Sequence, residues 1–283
     1  GLFRIRATGQ PLELPESLSA VPEGLVLRFV RPLDRKTATE AGRYNIQRWN
    51  YRRAASYGSR DYRVSDGTPG RDRVEITGVQ LSRDSKAVLL RFEDMKPCMQ
   101  MRVDFNVATD KGSPLVGQVE HTINVVRPPG QLASLGFDPA GAPVPRVRLG
   151  PPRKDLAAGL VLSVAAGSHR DTRVSRLAAL AVEPGDAVSS SIPPGAFSAS
   201  LEGLLDVELT DSYIFTAEST GSVEVRINDE VAWTQQAGQR GRSVAVPVPA
   251  GLNRLSIRFA SPASGSSRLR VFWQSSRFVR EGI

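Results

Sequence analysis

The sequence predicts an all-β protein built of two tandem β-sandwiches, and three observations predict it. Apolar and polar residues alternate with period two in run after run, most clearly across residues 197–233. The chain of 283 residues holds 25 glycines and 20 prolines, many of them between the alternating runs, as a chain of many turns requires. A stretch rich in proline and glycine, residues 128–155, divides two such series. At this length each half is able to bury a core of its own.

Residues 1–19 open with the alternating Leu2-Phe3-Arg4-Ile5-Arg6 and continue as a linker bounded by Pro11 and Pro15. Residues 20–127 form the first unit. Strands are expected at 25–29, 44–49, 74–76, 87–92, 101–107 and 118–125, with a turn of short helical tendency at 32–38 and a hairpin-type turn at Asp110-Lys111-Gly112. Strands at this spacing over ~100 residues suggest an immunoglobulin-like sandwich. Residues 128–155 read as a semi-extended linker, because proline restricts φ and favours polyproline-like stretches.

Residues 156–283 form the second unit, which begins with runs at 159–164 and 173–177. Its centre is the best-patterned part of the chain. Leu205, Val207 and Leu209 alternate with Asp206 and Glu208, and Tyr213 and Phe215 with Ile214 and Thr216. Val223, Val225 and Ile227 alternate with Glu224 and Arg226. Thr210-Asp211-Ser212 is expected to turn, and Ser219-Thr220-Gly221 and Asn228-Asp229 to close hairpins. Runs at 244–253, 254–259 and 268–273 complete the series.

Two resemblances rest on these residues. "LVLRFVRPLDRKTATEAGRYNIQRWNY" (25–51), followed by "VQLSRDSKAVLLRF" (79–92), resembles the bacterial immunoglobulin-like modules appended to secreted proteins. With the leading "GLFRIR", the first 127 residues resemble the segment that follows a β-propeller in periplasmic sugar-dehydrogenase-like and cytochrome-like proteins. That implies that Leu2–Arg6 is the closing strand of a propeller or its remnant. The ordered set "ASLEGLLDVELTDSYIFTAES", "GSVEVRINDEVAW", "VPVPAGLNRLSIRFA" and "SRLRVFWQSSRFVREGI" resembles the protective-antigen-type, jelly-roll-like β-sandwich of bacterial toxins, glycosidases and adhesins. The resemblance implies a non-catalytic module of a kind that often binds carbohydrate. Calcium-dependent members of that family carry adjacent aspartates in the loop between two central strands. Here that loop reads Glu218-Ser219-Thr220-Gly221, so the pair of carboxylates that makes such a site cation-competent is missing from it.

Composition narrows the function. No stretch approaches the ~20 apolar residues of a membrane span, and the N-terminus, without initiator Met or signal-peptide pattern, reads as mature or excised material. A single cysteine, Cys98, rules out an internal disulfide and any multi-cysteine metal site. The net charge is +8, and residues 1–127 hold most of the excess, with 21 Lys and Arg against 15 Asp and Glu. Basic charge serves nucleic acid, an anionic polymer or an acidic protein; with arginine far outnumbering lysine, a base-rich genome accounts for part of it equally well.

Two groups of residues are candidates for binding. Arg48, Trp49, Tyr51, Arg52, Arg53, Tyr57, Arg60 and Tyr62 interleave aromatic faces with guanidinium groups, a combination that docks a protein partner or stacks on sugars. The plain alternative is that Trp49 and two of the tyrosines fill the sandwich while the arginines stay solvated. In the second unit Asp171, Arg226, Asn228, Asp229 and Trp233 are candidates for a polar rim with a tryptophan platform; against it stands the reading of turn residues beside a core Trp.

Other chemistry is poorly supported. Cys98, Met99, Met101 and His121 invite copper, but a blue-copper centre needs two histidines beside its cysteine, and His169 belongs to the other unit. Met99 and Met101 alternate and most simply face the core. There is no Gly-x-Ser-x-Gly elbow beside a His–Asp pair, and no Walker or Rossmann glycine pattern. The sequence therefore points to a non-enzymatic, cofactor-free accessory region of a periplasmic or secreted protein that binds glycan or cell-envelope material. Two further readings stay open: a scaffold docking on a redox enzyme, a propeller or a haem-carrying domain, and the tail of a propeller-type dehydrogenase. Nucleic acid is not an expected partner.

Overall fold

The computed structural model describes residues 3, 4, 6, 9, 14–55, 58–145, 156–239 and 241–283. The chain divides into two units, residues 1–147 and 148–283. Each is a β-sandwich of antiparallel sheets.

The first unit contains β1 (Pro15–Val21), β2 (Gly24–Phe29), β3 (Tyr44–Trp49), β4 (Asp72–Val74), β5 (Gly78–Leu81), β6 (Ala87–Arg91), β7 (Cys98–Ala108), β8 (Pro114–Ile123) and β9 (Val144–Pro145). One sheet runs β1-β2-β6-β5-β9 and the other β4-β3-β7-β8. Their inner faces meet in an apolar core where Phe29 packs edge-on against Phe105, ring centres 5.4 Å apart. Tyr44 is buried there, and its hydroxyl donates to the Ala38 carbonyl at 2.9 Å. That carbonyl belongs to α1 (Arg35–Ala38), a single turn begun by Asp34, whose carboxylate accepts the Thr37 N–H.

Strands β4 and β8 begin earlier than the sequence reading places them and β5 is additional to it, and three further departures bear on the packing. Residues 15–19, expected in a linker, form β1: Pro15 stands at the start of the strand, where its missing N–H costs no ladder bond. Met99, expected to share the core with Met101, is half exposed while Met101 is fully buried. A β-bulge between Cys98 and Met101 shifts the pleat by one residue and turns Met99 outward. Residues 128–145 of the expected linker pack onto the outer face of the first sheet, where Leu132 and Phe137 are buried with Val21, Val26, Ala87 and Leu89. The reason lies in β2 and β6, whose nearly unbroken apolar runs need cover on both faces. Of the expected strand at the N-terminus, Leu2 and Ile5 lie outside the described residues, as do residues 146–155 of the linker.

The second unit contains β10 (Leu160–Ala166), β11 (His169–Ser175), β12 (Ala179–Val182), β13 (Ser198–Val207), β14 (Asp211–Ser219), β15 (Ser222–Ile227), β16 (Glu230–Gln235), β17 (Val246–Val248), β18 (Gly251–Ala260), β19 (Ser267–Gln274) and β20 (Glu281–Gly282). A six-stranded sheet runs β11-β10-β13-β18-β15-β16 and faces a sheet of β12-β19-β14-β17, to which β20 adds at β19. The alternating residues of the sequence interdigitate between them: Leu201, Phe215, Val225, Ile257 and Val271 are fully buried.

The Asn228-Asp229 hairpin is present, with both residues at positive φ (50° and 69°) as a two-residue primed turn demands. The other two expected turns differ. Asp211 and Ser212 already belong to β14, and Ser219-Thr220-Gly221 carries the chain from one sheet to the other instead of closing a hairpin. Alternation gives each strand its buried face but does not say which sheet the strand joins.

Candidate functional site

The outer face of the six-stranded sheet carries a continuous polar row. Thr172 pairs with Ser163, Ser163 with Ser200, Ser200 with Arg258, Arg258 with Glu224, and Glu224 with Thr234, so one residue from each of the six strands stands in register. Strand neighbours in register lie close enough for their side chains to meet. The Ser163 and Thr172 hydroxyls are 3.3 Å apart, and an Arg258 nitrogen lies 3.7 Å from the Glu224 carboxylate.

The adjoining row reads Arg170, Ala165, Ser198, Ala260 and Ser222. Across four strands it presents nothing larger than serine, so the face sinks into a cleft of about 590 Å³ lined by both rows. A cleft of this volume lies within the ordinary range for small-ligand sites.

Its electrostatics suit hydroxyl recognition. Glu224 accepts from Arg226 Nε at 2.7 Å. That hydrogen bond, with the charges of Arg226 and Arg258, outweighs desolvation and holds its carboxyl below the usual glutamate range. Glu224 is thus a lasting acceptor, Arg258 a lasting donor, and the serine and threonine hydroxyls act as either.

Of the residues chosen from sequence in this unit, only Asp171 lines the cleft, where its carboxylate is held by Arg173 at 2.9 Å. Arg226 stands one row away and reaches it through Glu224. Asn228 and Asp229 fasten the hairpin turn instead: Asn228 donates to Asn253 at 2.8 Å and accepts the Arg254 N–H at 2.9 Å, and Asp229 pairs with the Arg254 guanidinium at 2.6 Å. Trp233 faces inward among the core residues and is 9 % exposed, so it offers no platform to a ligand. The cleft residues that the sequence reading passed over, Ser163, Ser200, Ser222 and Thr234, do leave a trace there. They put small hydroxyl side chains at outward positions of alternating strands, where long charged side chains are the commoner choice.

The aromatic–arginine group of the first unit splits in two. Arg48 and Trp49 are interior, at 5 % and 2 % exposure, which removes them from a docking surface. Trp49 is covered by the Arg71 guanidinium, 3.7 Å from the ring centre, and Arg52 covers Tyr62 in the same manner at 4.1 Å. Tyr51, Arg53 and Arg60 remain on the surface; the Tyr51 N–H points at the sulfur of exposed Met99 at 3.1 Å. Tyr57 lies outside the described residues. Cys98 is buried, and that burial pushes its thiol pKa up. Among the described residues no three His, Cys, Asp or Glu side chains gather as a metal site would require, and no helix is long and apolar enough to cross a membrane.

No protein-family model matches the chain, and no curated protein does. Solved structures similar to it include the PA14 sugar-binding domain from an RTX adhesin, at 14 % identity over 45 % of this chain and 96 % of that one, with a TM-score of 0.33. An anti-sigma factor domain-containing protein is 13 % identical over 94 % of this chain and 88 % of its own, with a TM-score of 0.40. The epithelial adhesin 6 A domain from Candida glabrata, solved in complex with Galb1-3GlcNAc, is 11 % identical over 46 % of this chain and 85 % of its own, with a TM-score of 0.34.

Proposed function

We propose that the chain is a non-catalytic, glycan-binding accessory region of a periplasmic or extracellular protein, with the outer face of the six-stranded sheet as its binding surface. The observation that carries this reading is the six-strand row from Thr172 to Thr234. It lines an open cleft with hydroxyl, carboxylate and guanidinium groups spaced at the ~4.8 Å interval of neighbouring strands. An extended polymer of hydroxyl-bearing units finds a donor or acceptor at each step along such a row. Glu224 and Arg258 fix its polarity.

The second unit is read as protective-antigen-type and the first as an immunoglobulin-like spacer. Strand order supports the immunoglobulin-like part of that reading, since β1-β2-β6-β5 and β4-β3-β7-β8 follow the ABED and C′CFG arrangement of immunoglobulin sandwiches. Binding through this row needs no cation.

Affinity electrophoresis through gels containing neutral polysaccharides (xylan, β-glucan, galactan), with and without EDTA, tests the reading. At least one polymer is expected to retard the protein equally in both conditions, and Arg258→Ala with Glu224→Ala is expected to abolish the retardation. Failure of the whole panel, or retardation untouched by the double substitution, would sink it.

A further inference from the structure

A second cleft of the second unit, of about 860 Å³, is lined by β12, β19 and β14 together with Gln235 at the end of β16 and Gln239 and Gly241 of the loop that follows it. Its floor is low because Ala179 and Ala181 of β12 pair with Arg270 and Arg268 and place only methyl groups beside them. Three arginines, Arg268, Arg270 and Arg280, line it against one glutamate, Glu218. Two of the three are already neutralised: Arg268 pairs with Glu183 at 3.0 Å, and Arg280 pairs with Glu218 at 2.8 Å while lying 3.6 Å over the Phe272 ring. Arg270 has no carboxylate partner among the described residues, and its guanidinium stands exposed, 5.1 Å from the centre of the same ring.

A second observation concerns a residue at the rim of this cleft. Gln235 lines it as well as the first cleft, is only 4 % exposed, and has neither its amide nitrogen nor its amide oxygen hydrogen-bonded. Such a group, left bare, is costly enough that native structures almost always satisfy it.

We infer that this cleft binds an acidic sugar, with the carboxylate on Arg270 and a neighbouring hydroxyl on Gln235. The two groups together select that chemistry. The planar guanidinium fork of Arg270 matches a carboxylate. Phosphate or sulfate oxygens would accept from Arg270 and from the Gln235 amide nitrogen, but they supply no hydrogen to the Gln235 oxygen. A sugar hydroxyl both donates and accepts, so it can serve the amide oxygen as well as one amide N–H. Arg270 stands on the other sheet from the hydroxyl row, whereas Gln235 belongs to β16 beside Thr234 of that row and lines both clefts, so Arg270 is the part of the site that is independent of the row.

Retardation in gels containing polygalacturonate, its methyl ester or dextran sulfate tests the inference. The wild-type protein is expected to be retarded by polygalacturonate and not by the ester. Arg270→Gln is expected to weaken binding by about ten-fold, the scale of one charge-assisted contact, and Gln235→Leu by roughly three- to ten-fold, the scale of a neutral hydrogen bond. Arg35→Gln, which removes the same charge from the first unit, leaves it unchanged. Both cleft variants are expected to melt no lower than the wild type, because Gln235→Leu removes a buried polar group that has no partner. Wild-type affinity in Arg270→Gln would overturn the inference, and this exposed position serves even if Gln235→Leu fails to fold. Retention on dextran sulfate that weakens equally in Arg35→Gln would also overturn it, since net charge alone would then explain binding. Loss of polygalacturonate binding on Arg258→Ala but not on Arg270→Gln would move the anion to the six-stranded face and overturn it as well.

Discussion

Arg48 of β3 grips Asp94 twice across 46 positions of sequence: Nη1 donates to the Asp94 carbonyl at 2.6 Å and Nη2 to its carboxylate at 2.8 Å. Asp94 itself sits at φ 60°, a left-handed conformation that a non-glycine residue adopts at a cost. The same guanidinium lies 3.6 Å from Asp72 on neighbouring β4. One buried side chain thus ties the second sheet to the loop between β6 and β7, and its role is structural.

Arg48→Met is therefore expected to destabilise the first unit by about 2–3 kcal/mol, below the full penalty for breaking a buried pair because the abandoned Asp94 is half exposed. Arg48→Lys recovers little, since a single ammonium cannot make both bonds. Urea unfolding followed through Trp49, the one tryptophan of that unit, reads the change directly.

Trp233→Ala is expected to cost the second unit about 3–5 kcal/mol, as for other large-to-small changes in a packed core. Urea unfolding followed through Trp273, which stacks on Tyr213 with ring centres 5.1 Å apart, measures it. Unchanged stability together with lost polysaccharide binding would restore Trp233 as a ligand platform.

Gly24 closes the hairpin between β1 and β2 at φ +142°, and a Cβ there would run into the Leu90 carbonyl oxygen of β6. Gly24→Ala combines backbone strain with a collision against a backbone atom that cannot swing aside. A loss of roughly 3 kcal/mol or more is expected, seen as a lower melting temperature of the first unit.

Asp84 sets an acid limit on the same unit. Burial alone would raise its pKa, but hydrogen bonds from Ser82, the Lys86 N–H and Arg28 prevail and bring it from 3.8 to about 2. A carboxylate depressed in the folded state stabilises fully above its unfolded value, and that contribution fades as pH falls from about 4 to about 2. The urea midpoint of the first unit is expected to fall across this window, and Asp84→Asn to remove that part of the slope.

Much of the fold was legible because alternation reports burial directly. Val223, Val225 and Ile227 face the core as their parity says, and Asn228-Asp229 turns as its side chains allow. Parity reaches further: Gln235 lies two residues beyond Trp233, on the same inward face, so a buried amide is visible in the sequence. Met99 was not legible, because a one-residue bulge leaves no compositional mark. The binding row was not legible either. Its members lie up to 95 positions apart, and only register between six strands unites them. The tyrosines and arginines around Trp49 drew attention by composition, yet composition does not separate a guanidinium that covers a ring from one that waits for a partner.

Leu132 and Phe137 lie beyond the last long strand of the first unit, and they are the lid on its outer apolar face. A protease that cut just after residue 127, or an expression clone ended there, would keep all eight main strands and still lay bare Val26 and Leu89 on a flat sheet. Such a product would be expected to self-associate. For anyone dividing this chain, the safe cut lies beyond Pro145, where β9 has finished pairing with β5.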